Sequence, residues 1–361
     1  VRDPYNYSEE DDMRKACIGV TYVVCAKLWG LLVTHRNILQ GSIQPKHILW
    51  ALCYLKVYMQ QYVFSSLLGE DRRLLMRWTW RVVEDIHALH SQVVSQRCAV
   101  CNLMLCNVCG FSDFCCLLRQ IDLGARFHGW NKKSQCLLTI DGVHCMVREP
   151  SPFDKEMFSH KHKRAALMYE IGVGIFNGLV CWVNGPFKAS VEDKAVFGYE
   201  GLAEALEAWE MVECDFGYRH DGEKEDEEGK TPWTARYEKL MYKSVHDTRK
   251  DGKECAEARA RHETINALFK DFMILHNIFR NELDRHEWCF FAIAVLVQLQ
   301  LLEKPHWQVD YNVVYEMYPK PPTHFSTIYD DESSQDSSYA SADAYTDDSD
   351  DSDGSSLVNS F

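Results

Sequence analysis

The sequence predicts a mixed α/β fold, with a helical region before it and a disordered acidic tail after it. Three observations carry this expectation. Residues 135–184 contain three short apolar runs, CLLTIDGVHCMV, LMYEIGVGIF and LVCWVNG, and Asn177-Gly178 between the last two is a hairpin signal. Residues 13–90 and 256–302 read instead as helical. Beyond Pro321 the chain turns to Ser, Asp and Tyr with almost no aliphatic residues, so it cannot bury enough apolar surface to offset the entropy of ordering.

In chain order, residues 1–46 form an N-terminal segment whose first dozen residues are polar and expected to be mobile, followed by a helical stretch that breaks near Gly41-Ser42 and Pro45. Residues 47–90 hold HILWALCYLKVY and VFSSLLGEDRRLLMRWTWRVVEDIHAL, which suggest two or three short helices with a turn at Gly69-Glu70-Asp71. Two apolar-faced helices around such a turn fit a helix-turn-helix-like region. The second helix carries Arg72, Arg73, Arg77 and Arg81, spaced so that several share a face. These arginines are candidate DNA contacts; the competing reading is a solvated face.

Residues 91–134 are a cysteine-rich linker or insertion. Cys98, Cys101, Cys106 and Cys109 make two C-x-x-C pairs, but only four residues separate the pairs, fewer than zinc ribbons and fingers usually place there. A zinc site and a cysteine-rich apolar segment are both open readings, as is an artefact of gene prediction. After the three strand-like runs, residues 191–208 read as a helix, MVEC as a strand, and 256–280 as a helix. The run 288–302 spans 15 residues and contains two glutamines, which suits a buried helix better than a membrane span.

A chain of 361 residues that is 46% apolar and 12% aromatic is globular. Its net charge of −14 looks unfavourable for a nucleic-acid ligand, but ten acids and no base lie within 330–353, leaving −4 elsewhere. Six more acids crowd into 221–229, so the body is near neutral and compatible with local basic patches. Fifteen cysteines in a chain of this size are read as reduced thiols in an intracellular protein. No secretory signal is visible, and a sequence opening on Val1 rather than Met is expected to lack its native N-terminus. There is no G-x-S-x-G, no G-x-x-x-x-G-K-[ST] and no H-E-x-x-H, which removes the commonest serine-hydrolase, P-loop and zincin readings.

The chemistry rests on three acids: Asp141 in LLTIDGVHCMV, Asp215 in MVECDFGYRH and Glu263 in ARARHETINALFKDF. The first two follow strand-like runs and the third lies on a helix. Two carboxylates on neighbouring strands with a third on a helix behind them is the arrangement of RNase H-like nucleases. Carboxylate oxygens suit hard divalent cations, and a pair of Mg²⁺ or Mn²⁺ ions can activate a nucleophile and stabilise the leaving oxygen. Residues 135–320 are therefore expected to form an RNase H-like catalytic domain, a mixed sheet flanked by helices, with 321–361 as the disordered tail. Asp193 is a possible supporting acid or a helix N-cap. Lys161, Lys163 and Arg164 form a basic cluster, and Lys270 lies about two turns beyond Glu263; all four are candidate phosphate contacts or solvated charges.

From about residue 45 to 318 the chain resembles the DDE transposases of the PIF/Harbinger type. The stretches that carry the resemblance are HILWALCYLKVY, TIDGVHC, MFSHKHKRAALMYEIGVGI, LVCWVNGPF, VEDKAVF, ECDFGYRH, RHETINALFKDFMIL and FAIAVLVQLQ. The resemblance is interrupted across roughly 92–130. It assigns Asp141, Asp215 and Glu263 as the three catalytic, metal-binding acids, separated by 73 and 47 residues. It implies metal-dependent DNA cleavage with strand transfer as a further step, DNA as substrate, a Myb-like DNA-binding partner and a nuclear location. The alternative function is a host-retained, catalytically silent DNA-binding or adaptor protein. No membrane partner is expected, and the oligomeric state is left open.

Overall fold

The computed structural model describes residues 15–36, 43–94, 123–127, 136–199, 202, 206, 210–214, 218, 241–242 and 249–305. Four helices come first: α1 (Tyr22–Arg36), α2 (Pro45–Val57), α3 (Gln61–Leu68) and α4 (Arg72–Val94). Proline at the first helical position starts α2 at no hydrogen-bond cost, and the Gln44 N–H donates to His47 Nδ1 at 3.1 Å. Gly69, at φ +65, ends α3, and the Asp71 side chain then accepts from Leu74 N at 2.9 Å to open α4. The expected turn is present, but the helix after it is 23 residues long rather than short. Its buried face, Leu75, Met76, Val82, Val83, Ile86 and Leu89, has the three-and-four spacing of an amphipathic helix.

The sheet contains β1 (Cys136–Met146), β2 (Phe158–Ser159), β3 (Arg164–Gly174), β4 (Val180–Lys188), β5 (Met211–Glu213) and β6 (Met241–Tyr242). Its main order is β4-β3-β1-β5-β6, with the two-residue β2 paired to the start of β3. Strands β1, β3 and β4 run antiparallel in sequence; β5 then joins β1 in parallel and β6 joins β5 in parallel. That mixed order is RNase H-like. The β3–β4 connection is a hairpin, though longer than a two-residue turn. Gly178 takes φ +67, and the buried Asn177 side chain accepts from Leu179 N at 3.0 Å.

Helices α5 (Asp193–Tyr199), α6 (Arg249–Lys270), α7 (Met273–His276) and α8 (Asp284–Glu303) complete the described elements. Period-two alternation sends Thr139, Asp141 and Val143 to one face of the sheet and Gly142 to the other. Helices α6 and α8 cover the first face: the Thr139 hydroxyl meets His262, and the Tyr169 ring, across from Val143, stacks on Phe290 with centroids 3.7 Å apart. Helix α5 and Tyr218 lie on the Gly142 side.

The helix expected over 256–280 stops at Lys270. The chain then bends through α7 so that Phe279 N–H can donate to Met146 O at 2.8 Å and prolong the end of β1. Helix α8 is long and apolar enough to cross a bilayer, yet thirteen of its residues are buried against the sheet, α1 and α4. Being apolar all round, it is the centre of the core. The expected helix over 191–208 is described as helix at 193–199 and 202. The cysteine-rich motif at 98–116, the acidic run 221–229 and the tail 321–361 lie outside the described residues.

Candidate active site

Asp141 stands in the middle of an eleven-residue strand that is paired on both sides, opposite Ile171 of β3 and two residues past Thr139, which pairs with Glu213 of β5. A carboxylate carried by such a strand has little backbone freedom. Its Oδ1 accepts from Gly142 N at 2.9 Å and its Oδ2 accepts from Asn266 Nδ2 of α6, also at 2.9 Å. The side chain is half-buried, so the group is fixed yet still reachable.

Helix α6 runs along β1 in matched steps. Thr139 contacts His262 and Asp141 contacts Asn266: two residues on the strand against four on the helix. Two strand residues rise about 6.8 Å and four helix residues about 6 Å, so successive contacts stay nearly in phase. His262 is fully enclosed, and burial holds it neutral, with a pKa pushed down to about 3. Its role is to seat the helix.

Arg259, Glu263, Asn266 and Lys270 are four, three and four residues apart and share one stripe of α6. Arg259 Nη2 donates to Cys214 O at 3.2 Å, and its Nε lies 3.2 Å from the buried Glu213 carboxylate. Asn266 grips Asp141. Glu263, exposed, sits between these two anchors. The stripe that carries Glu263 thus faces the junction of β1 and the end of β5. Asp215, two residues past Glu213 at the end of β5, lies outside the described residues, so its carboxylate is not placed.

Two further carboxyl groups flank this region. Glu213 is pushed up to about 7 because burial outweighs the pull of Arg259. Glu170, across the sheet from Gly142, is pushed up to about 8 by complete burial, with hydrogen bonds from Trp182 Nε1 (3.0 Å) and the Tyr218 hydroxyl (3.3 Å) opposing the shift only in part. Asp193 opens α5 and turns its carboxylate to β1: a Cβ on Gly142 would meet Asp193 Oδ1 at 2.6 Å. Glycine after Asp141 lets that carboxylate approach the strand on the face opposite Asp141.

The basic residues fall into two groups. Lys161, Lys163 and Arg164 are exposed on the turn leading into β3. Together with Lys270, Lys161 lies close enough to His144 to help burial lower that imidazole to about 4. Lys270 and Lys161 therefore both lie in the neighbourhood of His144, towards one end of β1. Arg72, Arg73, Arg77 and Arg81 are exposed on α4.

Sequence reasoning missed Asn266, Arg259, Glu213 and Glu170. Asn266 had one available signal, its place one turn beyond Glu263 on the same helical face. Glu170 had none, since an acid in an otherwise apolar strand does not reveal what surrounds it.

Among the described residues no group of three or more His, Cys, Asp or Glu side chains is gathered as a metal site. Oxygen donors are nonetheless the right chemistry for a hard cation, and the buried Asn266 Oδ1 beside Asp141 has no hydrogen-bond partner among the described residues. The Asp141 carboxylate and the Asn266 amide oxygen are donors of the type such a cation takes. Comparison with curated proteins and with solved structures gives no match. Residues 140–298, from the strand bearing Asp141 to the buried helix beneath the sheet, match the family model described as DDE superfamily endonuclease.

Proposed function

We propose that the protein cleaves DNA phosphodiester bonds in a divalent-metal-dependent reaction, with Asp141, Asp215 and Glu263 as the acid triad, and that it derives from a transposase of the PIF/Harbinger type. The observation that carries this is the clamp on Asp141: a mid-strand carboxylate held by Asn266, on the same helical stripe as Glu263. The parallel pairing Thr139↔Glu213 supports the third member, because Asp141 and Asp215 each follow that pair by two residues.

Each residue has a separate task. Asp141, fixed by two hydrogen bonds, holds negative charge at a set point on the sheet. Glu263 adds a second carboxylate from a helix that Thr139, Asp141 and Cys214 all anchor. Asp215, two residues beyond β5 in the sequence, supplies the third. Bound Mg²⁺ or Mn²⁺, two ions in the usual form of this chemistry, would activate the attacking hydroxyl and stabilise the leaving oxygen. Lys161, Lys163, Arg164 and Lys270 hold phosphates of the scissile strand. Asp193 steadies β1 from the opposite face through Gly142. Strand transfer, a Myb-like partner and a nuclear site of action extend the same reading.

The test is cleavage and binding by the wild-type chain and by Asp141→Asn on one terminal-repeat duplex, with Mg²⁺, Mn²⁺ or Ca²⁺. Asparagine keeps the shape and removes the charge that offsets the cations, so cleavage should vanish while fold and DNA binding persist. Mg²⁺ and Mn²⁺ should support turnover, and Ca²⁺ binding alone. A wild-type chain that binds this DNA and cuts it with neither active metal would support a catalytically silent adaptor instead.

A further inference from the structure

A cleft of about 740 Å³ lies between the first half of α4 and the start of α8. Five arginines line it: Arg72, Arg73, Arg77 and Arg81 from α4, and Arg285 from α8. Glu84 is the one acid among the lining residues. Arg81 is partly neutralised by Asp85 at 3.1 Å, and Arg285 by Glu282 at 2.7 Å. Arg72, Arg73 and Arg77 remain exposed.

This arrangement works against the stability of α4. The N-terminal turn of a helix carries partial positive charge and favours acids; Asp71 caps α4, yet the first turn itself holds no acid and places Arg72 and Arg73 there. Arg73, Arg77 and Arg81, each four residues from the next, repel along one face. Helix α8, which starts at the same cleft, follows the ordinary rule, with Asp284 and Glu287 in its first turn. A merely solvated face explains exposed arginines. It does not explain arginines from two helices converging on one concavity at the positive end of α4.

We propose that this cleft binds the sugar-phosphate backbone of duplex DNA, and that Arg285 joins the four α4 arginines in doing so. The proposal rests on the reading of the protein as a DNA endonuclease and goes beyond it by locating the grip. A polyanion offsets both the dipole and the mutual repulsion, which turns a local cost into binding free energy. Backbone rather than exposed bases is the ligand because five arginines dominate the lining, while the Trp80 ring is buried with the Arg285 guanidinium 4.9 Å above it and Trp288 is half-buried. The cleft is also continuous with the catalytic sheet. His286, next to Arg285, meets the Tyr169 hydroxyl at 2.8 Å, and Tyr169 lies across from Val143, two residues from Asp141. DNA held at the cleft is thus held by the body that carries the acids.

The test is the salt dependence of binding of the full chain to a duplex of about 30 bp, read by fluorescence anisotropy in Ca²⁺. Arg73→Ala/Arg77→Ala should lower the slope of log K against log salt by about two, and Arg285→Ala by about one, since each phosphate neutralised contributes about 0.9. Arg285→Lys should keep the slope. The double variant should melt no lower than wild type, because removing the two charges relieves α4. Unchanged slopes in both alanine variants would overturn the proposal, and so would tighter binding of a single strand of equal length. Cleavage plays no part in this readout. Slopes that fall as expected, with no cleavage under any metal, would leave the cleft standing and remove the nuclease reading; cleavage with unchanged slopes would do the reverse.

Discussion

Glu170 is a carboxyl group with no exposed surface, set in a strand whose other residues, after Arg164, are also all buried. Burial dominates its ionisation, the neighbouring Asp193 charge adds to it, and Trp182 and Tyr218 offset only part, so its folded pKa of about 8 stands above the ordinary 4.5. Folding therefore takes up a proton between those two values. The stability this group contributes is complete below about pH 4.5 and is lost as pH rises through about 8. Glu170→Gln keeps the shape and removes the titration. Across pH 5 to pH 8 the denaturant midpoint of the variant should gain on that of wild type. Glu213, raised to about 7, and the buried His262 and His286, lowered to about 3, act with opposite sign and give both proteins the same remaining pH dependence. Identical profiles would mean that Glu170 is ionised in the folded chain.

The docking of α6 on β1 decides the site at the scale of elements. A helix laid along a strand can place only one stripe of side chains against it, and the contacts of His262 and Asn266 select the stripe holding Glu263. Asn266→Ala should therefore impair the reaction without touching substrate. Groups that orient a metal-binding carboxylate typically matter by about 10–100-fold in metal affinity or activity. The expected result is a cleavage loss of about that size, with a raised metal requirement and unchanged DNA affinity in Ca²⁺. A metal titration at fixed DNA reads it directly. Wild-type metal dependence in the variant would show that the Asn266 hydrogen bond does not position Asp141. The same element shows where sequence periodicity misleads. The apolar spacing of 256–280 continues past Lys270, but the backbone must leave the helix for Phe279 to pair with the end of β1.

Across the whole molecule, the helices that precede the matched region share a single core with it. Buried residues run from Val24 in α1 and Val83 in α4 to Ile293 and Leu296 in α8. The His87 and Phe291 rings meet 5.9 Å apart, and Arg280 Nη2 donates to Tyr58 O at 2.5 Å. Removing α1–α4 would expose the apolar flank of α8 to water. A chain limited to residues 135–305 is thus expected to lose cooperative unfolding and aggregate, whereas 13–305 should melt in one transition. Near-ultraviolet circular dichroism during denaturation distinguishes them. A single sharp transition in the shorter chain, at an unchanged midpoint, would show that the catalytic sheet stands alone.

The sequence by itself determined what depends on neighbours along the chain. The alternation of β1, the Asn177-Gly178 turn, the apolar wrap of α8, the arginine face of α4 and the strand position of Asp141 all follow from side chains within a few residues of one another. The placement of Glu263 on a helix was legible for the same reason. Only the tertiary structure decided which distant groups meet. Asn266 reaches Asp141 across 125 positions, His262 reaches Thr139 across 123, and Arg285 joins arginines on a helix some 200 residues earlier. The raised carboxyls belong to this second class: a glutamate's charge depends on the water that packing removes, and no local pattern records that removal.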